Sequence, residues 1–225
     1  MKYDVILVDL DHTLMDFSAD SHAALEAAFL QFGLSYSDEE WERYEACNQR
    51  LWQAFDRGEI EKSQIYPTRF RDYLAQRGCR LDPAEVNRVY MEHIARGGRL
   101  DPDAKKLLRT LREMGCRLYA ATNGSADVQL PRLENSGLPE LLDGVYISDL
   151  MGWQKPAAEY FDRIFEEIGE DMRARAIILG DGLIADMQGG RNAGIATCFF
   201  GDVSRADDRC DYAISRLMDF VAVIS

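Results

Sequence analysis

What this chain lacks narrows the field before any motif is considered. It has no apolar run approaching the roughly 18 residues of a bilayer-spanning helix, so no membrane span is expected. Met1, Lys2 and Tyr3 lead directly into a strand-like run, without the layout of a secretory leader. Cysteine is sparse and scattered: Cys47, Cys79, Cys116, Cys198 and Cys210 are odd in number and form no C-x-x-C pair. That pattern argues against a disulfide framework or a zinc site and predicts reduced thiols in a cytoplasmic protein. Basic residues are in deficit, 26 Lys and Arg against 39 Asp and Glu, for a net charge of −13. A polyanionic nucleic-acid partner is therefore not expected, and a small anionic ligand would need local cations or a metal to hold it. Internal repeats and low-complexity tracts are also missing. What remains is 225 residues at 47% hydrophobic composition, enough for one large core, or a core with a small accessory domain.

The most informative segment present is Val5-Ile6-Leu7-Val8-Asp9-Leu10-Asp11-His12-Thr13-Leu14. Its unbroken apolar run reads as a buried strand, and two carboxylates follow where the strand ends. Ligands of open parallel sheets sit beyond the carboxyl ends of the strands. Two like charges there call for a cation, a proton or a reaction to offset their repulsion. A plain turn also accounts for Asp-x-Asp at such a place.

Residues beyond Asp11 read as all-helical for about 80 positions. A helix is expected over 21–32, a second from a Ser37 cap toward Phe55, and a third to about Gln76, with Pro67 as a kink or restart. Asp82-Pro83 reads as the cap and first turn of a fourth helix, and Arg96-Gly97-Gly98 as a hinge. From Asp101-Pro102 onward helices and strands alternate. Strands are expected at 117–121, 144–148, 176–179, 195–200 and 212–214, with helices at 156–169 and 183–192 between them. This alternation predicts a parallel α/β sheet with helices on both faces.

Three more polar clusters close later strands. Thr122-Asn123-Gly124-Ser125 offers a hydroxyl and backbone N–H groups suited to a phosphate oxygen, or to an ordinary helix cap. Lys155-Pro156 reads as a cation beside a helix N-terminus, where a bound anion would offset the unfavourable dipole; a solvated lysine is the plain alternative. Gly180-Asp181-Gly182-Leu183-Ile184-Ala185-Asp186 adds two carboxylates, which with Asp9 and Asp11 would make a hard, oxygen-rich site suited to Mg²⁺. The same segment fits the G-x-G-x-x-A dinucleotide fingerprint with Asp202 downstream. Against that, an aspartate between the glycines would crowd a pyrophosphate, and Asp9 and Asp11 would go unexplained.

Taken in order, the four clusters resemble the four signatures of the haloacid dehalogenase-like hydrolases. The resemblance implies a Rossmann-like core at 1–15 and 98–225, with a helical cap inserted at 16–97. Tyr44-Glu45-Ala46-Cys47-Asn48-Gln49-Arg50-Leu51-Trp52, with Phe55, Gly58, Ile60 and Arg69-Phe70, is similar to the cap of noncanonical pyrimidine 5′-nucleotidases. Gln129-Leu130-Pro131-Arg132-Leu133-Glu134-Asn135-Ser136-Gly137-Leu138, which follows the second signature in the core, is similar to these nucleotidases as well. Trp52 and Phe55 are expected to pack inside the cap.

The resemblance implies a Mg²⁺-dependent phosphomonoesterase that passes through an aspartyl-phosphate. Asp9 would be the nucleophile and Asp11 the acid and base. Lys155 would serve both catalysis and phosphate binding, alongside Thr122, Asn123 and Gly124. Asp9, Asp11 through its backbone carbonyl, Asp181 and Asp186 would hold the metal. Cap closure would exclude water and select the leaving group. The implied partner is a small phosphorylated metabolite, a pyrimidine nucleoside monophosphate in the first instance. A sugar-phosphate phosphatase or phosphomutase is the alternative within the family, and a non-catalytic phosphate-binding module the alternative outside it. Dehalogenation is not expected, because an acid at Asp11 serves no halide leaving group. Nor is a Schiff base at Lys62, the only lysine of 16–97, which reads as a solvated helix position.

Overall fold

The computed structural model describes residues 1–225. Six parallel strands form one sheet in the order β3-β2-β1-β4-β5-β6. They are β1 Val5–Val8, β2 Arg117–Thr122, β3 Gly144–Ile147, β4 Ala176–Gly180, β5 Ala196–Phe200 and β6 Tyr212–Ile214. The chain runs outward from β1 through β2 to β3, then returns to β4 on the other side of β1. That reversal makes the carboxyl ends of β1, β2 and β4 the binding crevice of such a sheet.

The period of two in each strand divides the core. Ile6, Val8, Leu118, Ala120, Ile177 and Leu179 face helices α5 (Ala104–Glu113) and α10 (Phe220–Ile224). Val5, Leu7, Tyr119, Ala121 and Ile178 face Tyr160, Phe161, Ile164 and Phe165 of α8 (Ala158–Ile168). Buried on both faces, the central strands need the near-continuous apolar sequence that identified them. The remaining helices of this part are α6 (Ala126–Ser136) and the short α7 (Ser148–Met151) and α9 (Gly189–Asn192).

Contacts divide the chain into two compact units, Met1–Phe17 with Gly98–Ser225, and Ser18–Gly97. In the first unit the crossing segments are zipped together: Asp16 N–H donates to the Arg99 carbonyl and Asp101 N–H to the Leu14 carbonyl, both at 3.0 Å. The second unit is built on α1 (Phe17–Gln31), α2 (Asp38–Asp56), α3 (Lys62–Arg77) and α4 (Pro83–Ile94). Ser37 accepts from Glu40 N–H and Asp82 from Ala84 N–H, so the caps lie where side-chain chemistry put them. Tyr44 stacks on Phe70, and Trp52 meets Phe55 edge-on beside Leu51 and Ile65.

Several differences from the sequence reading lie at prolines. Pro67 and Pro131 lie inside α3 and α6 without ending either helix. Each removes one backbone donor, and the buried residues around them, Ile65, Arg69 and Phe70 or Val128 and Leu133, hold the helix through the defect. Pro156 is not the first residue of α8; its peptide with Lys155 is cis, and the helix is entered from Ala157. Asp101 accepts from Asp103 N–H at 2.8 Å, so α5 begins beyond the Asp101-Pro102 pair rather than at it.

Candidate active site

Strand ends position Asp9 and Asp181, and the turns that follow those strands carry Asp11 and Asp186. Asp9 continues β1, its N–H donating to the Leu179 carbonyl of β4 at 2.9 Å. The chain then turns sharply. Thr13, Leu14 and Met15 N–H groups all point at the Leu10 carbonyl, and His12 takes a left-handed conformation (φ 61°). Histidine tolerates that region better than most residues. Asp11 thereby stands beside Asp9 at the rim, its side chain 23% exposed, while Asp9 is buried. Asp181 follows β4 directly, and Asp186 sits in a π-helical turn, Leu183–Gln188, rather than an α-helical one.

Lys155 is at the centre of these groups and is only 1% exposed, which removes the solvated-lysine reading. Its Nζ donates to Asp9 Oδ1 and Asp186 Oδ1, both at 2.6 Å, and to the Ala121 carbonyl at 2.7 Å. An ammonium has three hydrogens, and all three are used. Burial alone would lower the lysine pKa; the carboxylates of Asp186 and Asp9 outweigh it and raise it. Burial pushes Asp9 well above the usual carboxylate range, against the pull of Lys155 and with added repulsion from Asp186 and Asp181. Burial and the Asp186 charge push Asp181 up to about 7, with Lys155 opposing.

The predicted phosphate residues converge on this place in different ways. Thr122 ends β2 and is buried, its Oγ1 accepting from Gly124 N–H at 3.0 Å. Asn123 spends its side-chain amide on the Lys155 backbone: Oδ1 accepts from Lys155 N–H (3.0 Å) and Nδ2 donates to the Lys155 carbonyl (2.8 Å). Its amide thus holds the backbone that carries the ammonium. Two residues with no assigned role also enter the site. Gln129 Nε2 donates to Asp11 Oδ2 at 2.8 Å, and Arg132 Nη1 to Asp11 Oδ1 at 2.5 Å. A signal for them existed. Val128 and Leu133 mark the buried stripe of α6, and Gln129 and Arg132 fall inside it, whereas Leu130 is half exposed.

The glycines of the fourth cluster serve Asp186, not a dinucleotide. A Cβ on Gly180 would lie 2.3 Å from the Asp186 carboxyl carbon, and one on Gly182 would lie 2.9 Å from its Oδ2. Gly182 N–H donates to that oxygen at 2.9 Å. Gly190 packs on the sheet, where a Cβ would meet Ile178 and Thr197 at under 3 Å.

A family model for haloacid dehalogenase-like hydrolase matches residues 3–194. The chain belongs to this family. Among curated relatives of this hydrolase, the pyrimidine 5′-nucleotidase PynA of Streptococcus pneumoniae is 34% identical, over 89% of this chain and 84% of PynA. The pyrimidine 5′-nucleotidase YjjG of Escherichia coli is also 34% identical, over 88% and 86% of the respective chains. The crystal structure of the HAD-hydrolase YfnB of Bacillus subtilis, bound to magnesium, superposes with a TM-score of 0.94 at 31% identity, each chain fully covered.

In this haloacid dehalogenase-like hydrolase the donor set fits a small divalent cation. Asp9, Asp181 and Asp186 each offer a carboxylate oxygen, all within 4.8 Å of one another. Oxygens around Mg²⁺ lie at about 2.1 Å from the ion, hence about 4.2 Å apart across it, which is the scale of this cluster. Charge points the same way. Three carboxylates against one ammonium leave negative charge in excess, and burial, with mutual repulsion added to it, raises the pKa of Asp9 and Asp181.

Proposed function

We propose that this hydrolase is a magnesium-dependent phosphomonoesterase that works through an aspartyl-phosphate on Asp9, with pyrimidine nucleoside 5′-monophosphates as substrates. The observation that carries the reading is the ion pair of Asp9 with buried Lys155 at the end of β1, beside a second carboxylate, Asp11, that stands outside that ion pair. A buried carboxylate fixed in place by an ammonium suits a nucleophile, and a separate one, still 23% exposed, suits proton transfer. The pyrimidine preference is supported by the likeness to PynA and YjjG.

A carboxylate oxygen of Asp9 attacks phosphorus as the bond to the leaving oxygen breaks, and Asp11 delivers its proton to that oxygen. Asp11 then takes a proton from the water that attacks phosphorus, the bond to Asp9 breaks, and inorganic phosphate leaves with Asp9 restored. Lys155 fixes one Asp9 oxygen and offsets its charge. Asn123 holds the Lys155 backbone, the Thr122 hydroxyl binds a phosphoryl oxygen, and Gly124 supports that hydroxyl from behind. Asp9, the Asp11 carbonyl, Asp181 and Asp186 would hold Mg²⁺, which when bound neutralises phosphoryl charge.

Phosphate release across nucleoside monophosphates and sugar phosphates, with Mg²⁺ and with chelator, tests this reading. Activity should concentrate on uridine and thymidine monophosphates, vanish with chelator and return with Mg²⁺. Preference for sugar phosphates would remove the nucleotidase assignment, and no release from any substrate would remove the phosphatase. Chelation should also lower the melting temperature, since a metal at about 100 times its Kd adds about 2.7 kcal/mol to the folded state. An unchanged melting curve would argue against the carboxylate cluster as the metal site.

Gly180→Ala should displace the Asp186 carboxylate, given the 2.3 Å approach. We expect the Mg²⁺ concentration for half-maximal activity to rise on the order of 10- to 100-fold, the usual cost of disturbing a metal ligand's support. An unshifted Mg²⁺ titration would show that Asp186 plays no part in holding the ion.

A further inference from the structure

We propose that Gln129 and Arg132 form a positioning clamp that aims the Asp11 carboxylate and sets the direction of the Thr122 hydroxyl. It would join the proton-transfer residue to the residue that binds the phosphoryl group. The inference rests on the reading of Asp11 as acid and base given above.

Both side chains are fully buried, although guanidinium and carboxamide groups are normally kept at the surface unless paired. They project three residues apart from one side of α6. Arg132 Nη1 reaches Asp11 Oδ1 at 2.5 Å and Gln129 Oε1 at 2.8 Å, and its guanidinium lies 5.2 Å from the centre of the Phe17 ring. The Arg132 backbone is held closely as well: a Cβ on Gly98 would lie 2.8 Å from its carbonyl oxygen.

The polarity of these bonds follows from what each group can do. A guanidinium only donates, so the Gln129 atom facing it is the oxygen. That fixes the amide's orientation and turns its two N–H hydrogens to the other side. There they meet Asp11 Oδ2 at 2.8 Å and Thr122 Oγ1 at 2.9 Å. Thr122 Oγ1 also accepts from Gly124 N–H at 3.0 Å. A hydroxyl oxygen has two acceptor positions, and both are filled, so the Thr122 O–H can act only as a donor. A phosphoryl oxygen, which only accepts, is the ligand that such a hydroxyl suits. Gly124 is required by the same arrangement, because a Cβ there would lie 2.5 Å from Gln129 Nε2.

The clamp thus spans residues separated by more than 100 positions: Asp11 at the end of β1, Thr122 at the end of β2, and α6 beneath both. Arg132 and Gln129 act through Asp11 and Thr122, whose side-chain oxygens they hold. Their effect is on where the proton-carrying oxygen of Asp11 points and on which way the Thr122 hydrogen faces.

The test compares Gln129→Met, which keeps the shape and removes both donors, with Arg132→Met and with Asp11→Asn. Uridine 5′-monophosphate, whose alkoxide must be protonated, is set against p-nitrophenyl phosphate, whose phenolate leaves without a proton. Leaving-group release is followed in a single turnover with enzyme in excess, so that only transfer to Asp9 is read. Gln129→Met should slow the uridine substrate on the order of 100-fold and the nitrophenyl substrate only a few-fold, the split expected when a general acid is misaimed. Apparent affinity for both substrates should weaken several-fold through Thr122. Should the buried Arg132→Met variant fail to fold, Gln129→Met carries the test, since it alters no charge. A loss equal on both substrates, or no loss, while Asp11→Asn shows the split, would overturn the clamp. No split in Asp11→Asn itself would overturn the acid–base reading on which the clamp depends.

Discussion

Replacing Asp9 by asparagine is expected to lower turnover on the order of 10⁴-fold or more, the scale seen when a covalent nucleophile is removed. The carboxamide keeps the shape of the side chain and can still accept from Lys155, but it cannot attack phosphorus. Stability should change by less than about 1 kcal/mol, because two effects oppose each other. The buried carboxylate, whose raised pKa marks an unfavourable charge, is gone. Lys155 meanwhile keeps Asp186 and the Ala121 carbonyl as partners. Phosphate release and urea unfolding, measured together, decide the matter. Turnover within tenfold of the native chain would remove Asp9 from the chemistry.

Lys155→Met should be the most damaging single change to the fold of the site. It leaves Asp9 and Asp186 facing each other without the ammonium that now lies 2.6 Å from each. Removing one partner of a buried pair costs about 3–5 kcal/mol, because the remaining charge keeps its desolvation penalty. Turnover should fall about 10³-fold, as the proposed nucleophile Asp9 loses both its orientation and the ammonium that opposes its burial penalty. The variant combined with Asp9→Asn should be less destabilised than the sum of the two, since one unpaired carboxylate has been removed. Strict additivity in urea unfolding, or a loss below about 1 kcal/mol, would mean that Lys155 is not held by this pair.

The α/β sheet was readable because its strands are buried on both faces. Val5–Val8 and Ala176–Gly180 are apolar throughout, and the carboxylates that follow them stand out against that background. Lys155 was harder to place. Lys-Pro before an amphipathic helix has the composition of an exposed helix start, and nothing local indicates that the ammonium turns inward to carboxylates from distant strands. Gln129 and Arg132 fall inside the apolar stripe of α6, which points to their burial, but the sequence around them does not show what they pair with. Their burial depends on Asp11, more than 100 residues away in sequence. Proline misled for a related reason. Local preference marks Pro67 as a kink or restart, and tertiary packing carries α3 through it.

The strand order also has a consequence for biosynthesis. β1 is translated first, yet it is the central strand, and its neighbour β4 begins at Ala176. At about 5–20 residues per second, β1 waits on the order of ten to thirty seconds for that neighbour. During this interval its apolar residues have no complete sheet to enter. The helices of Ser18–Gly97, whose contacts are local, can form meanwhile. Nascent chains stalled before Ala176 are therefore the ones expected to need a chaperone, and they would carry Asp9 and Asp11 without any catalytic competence.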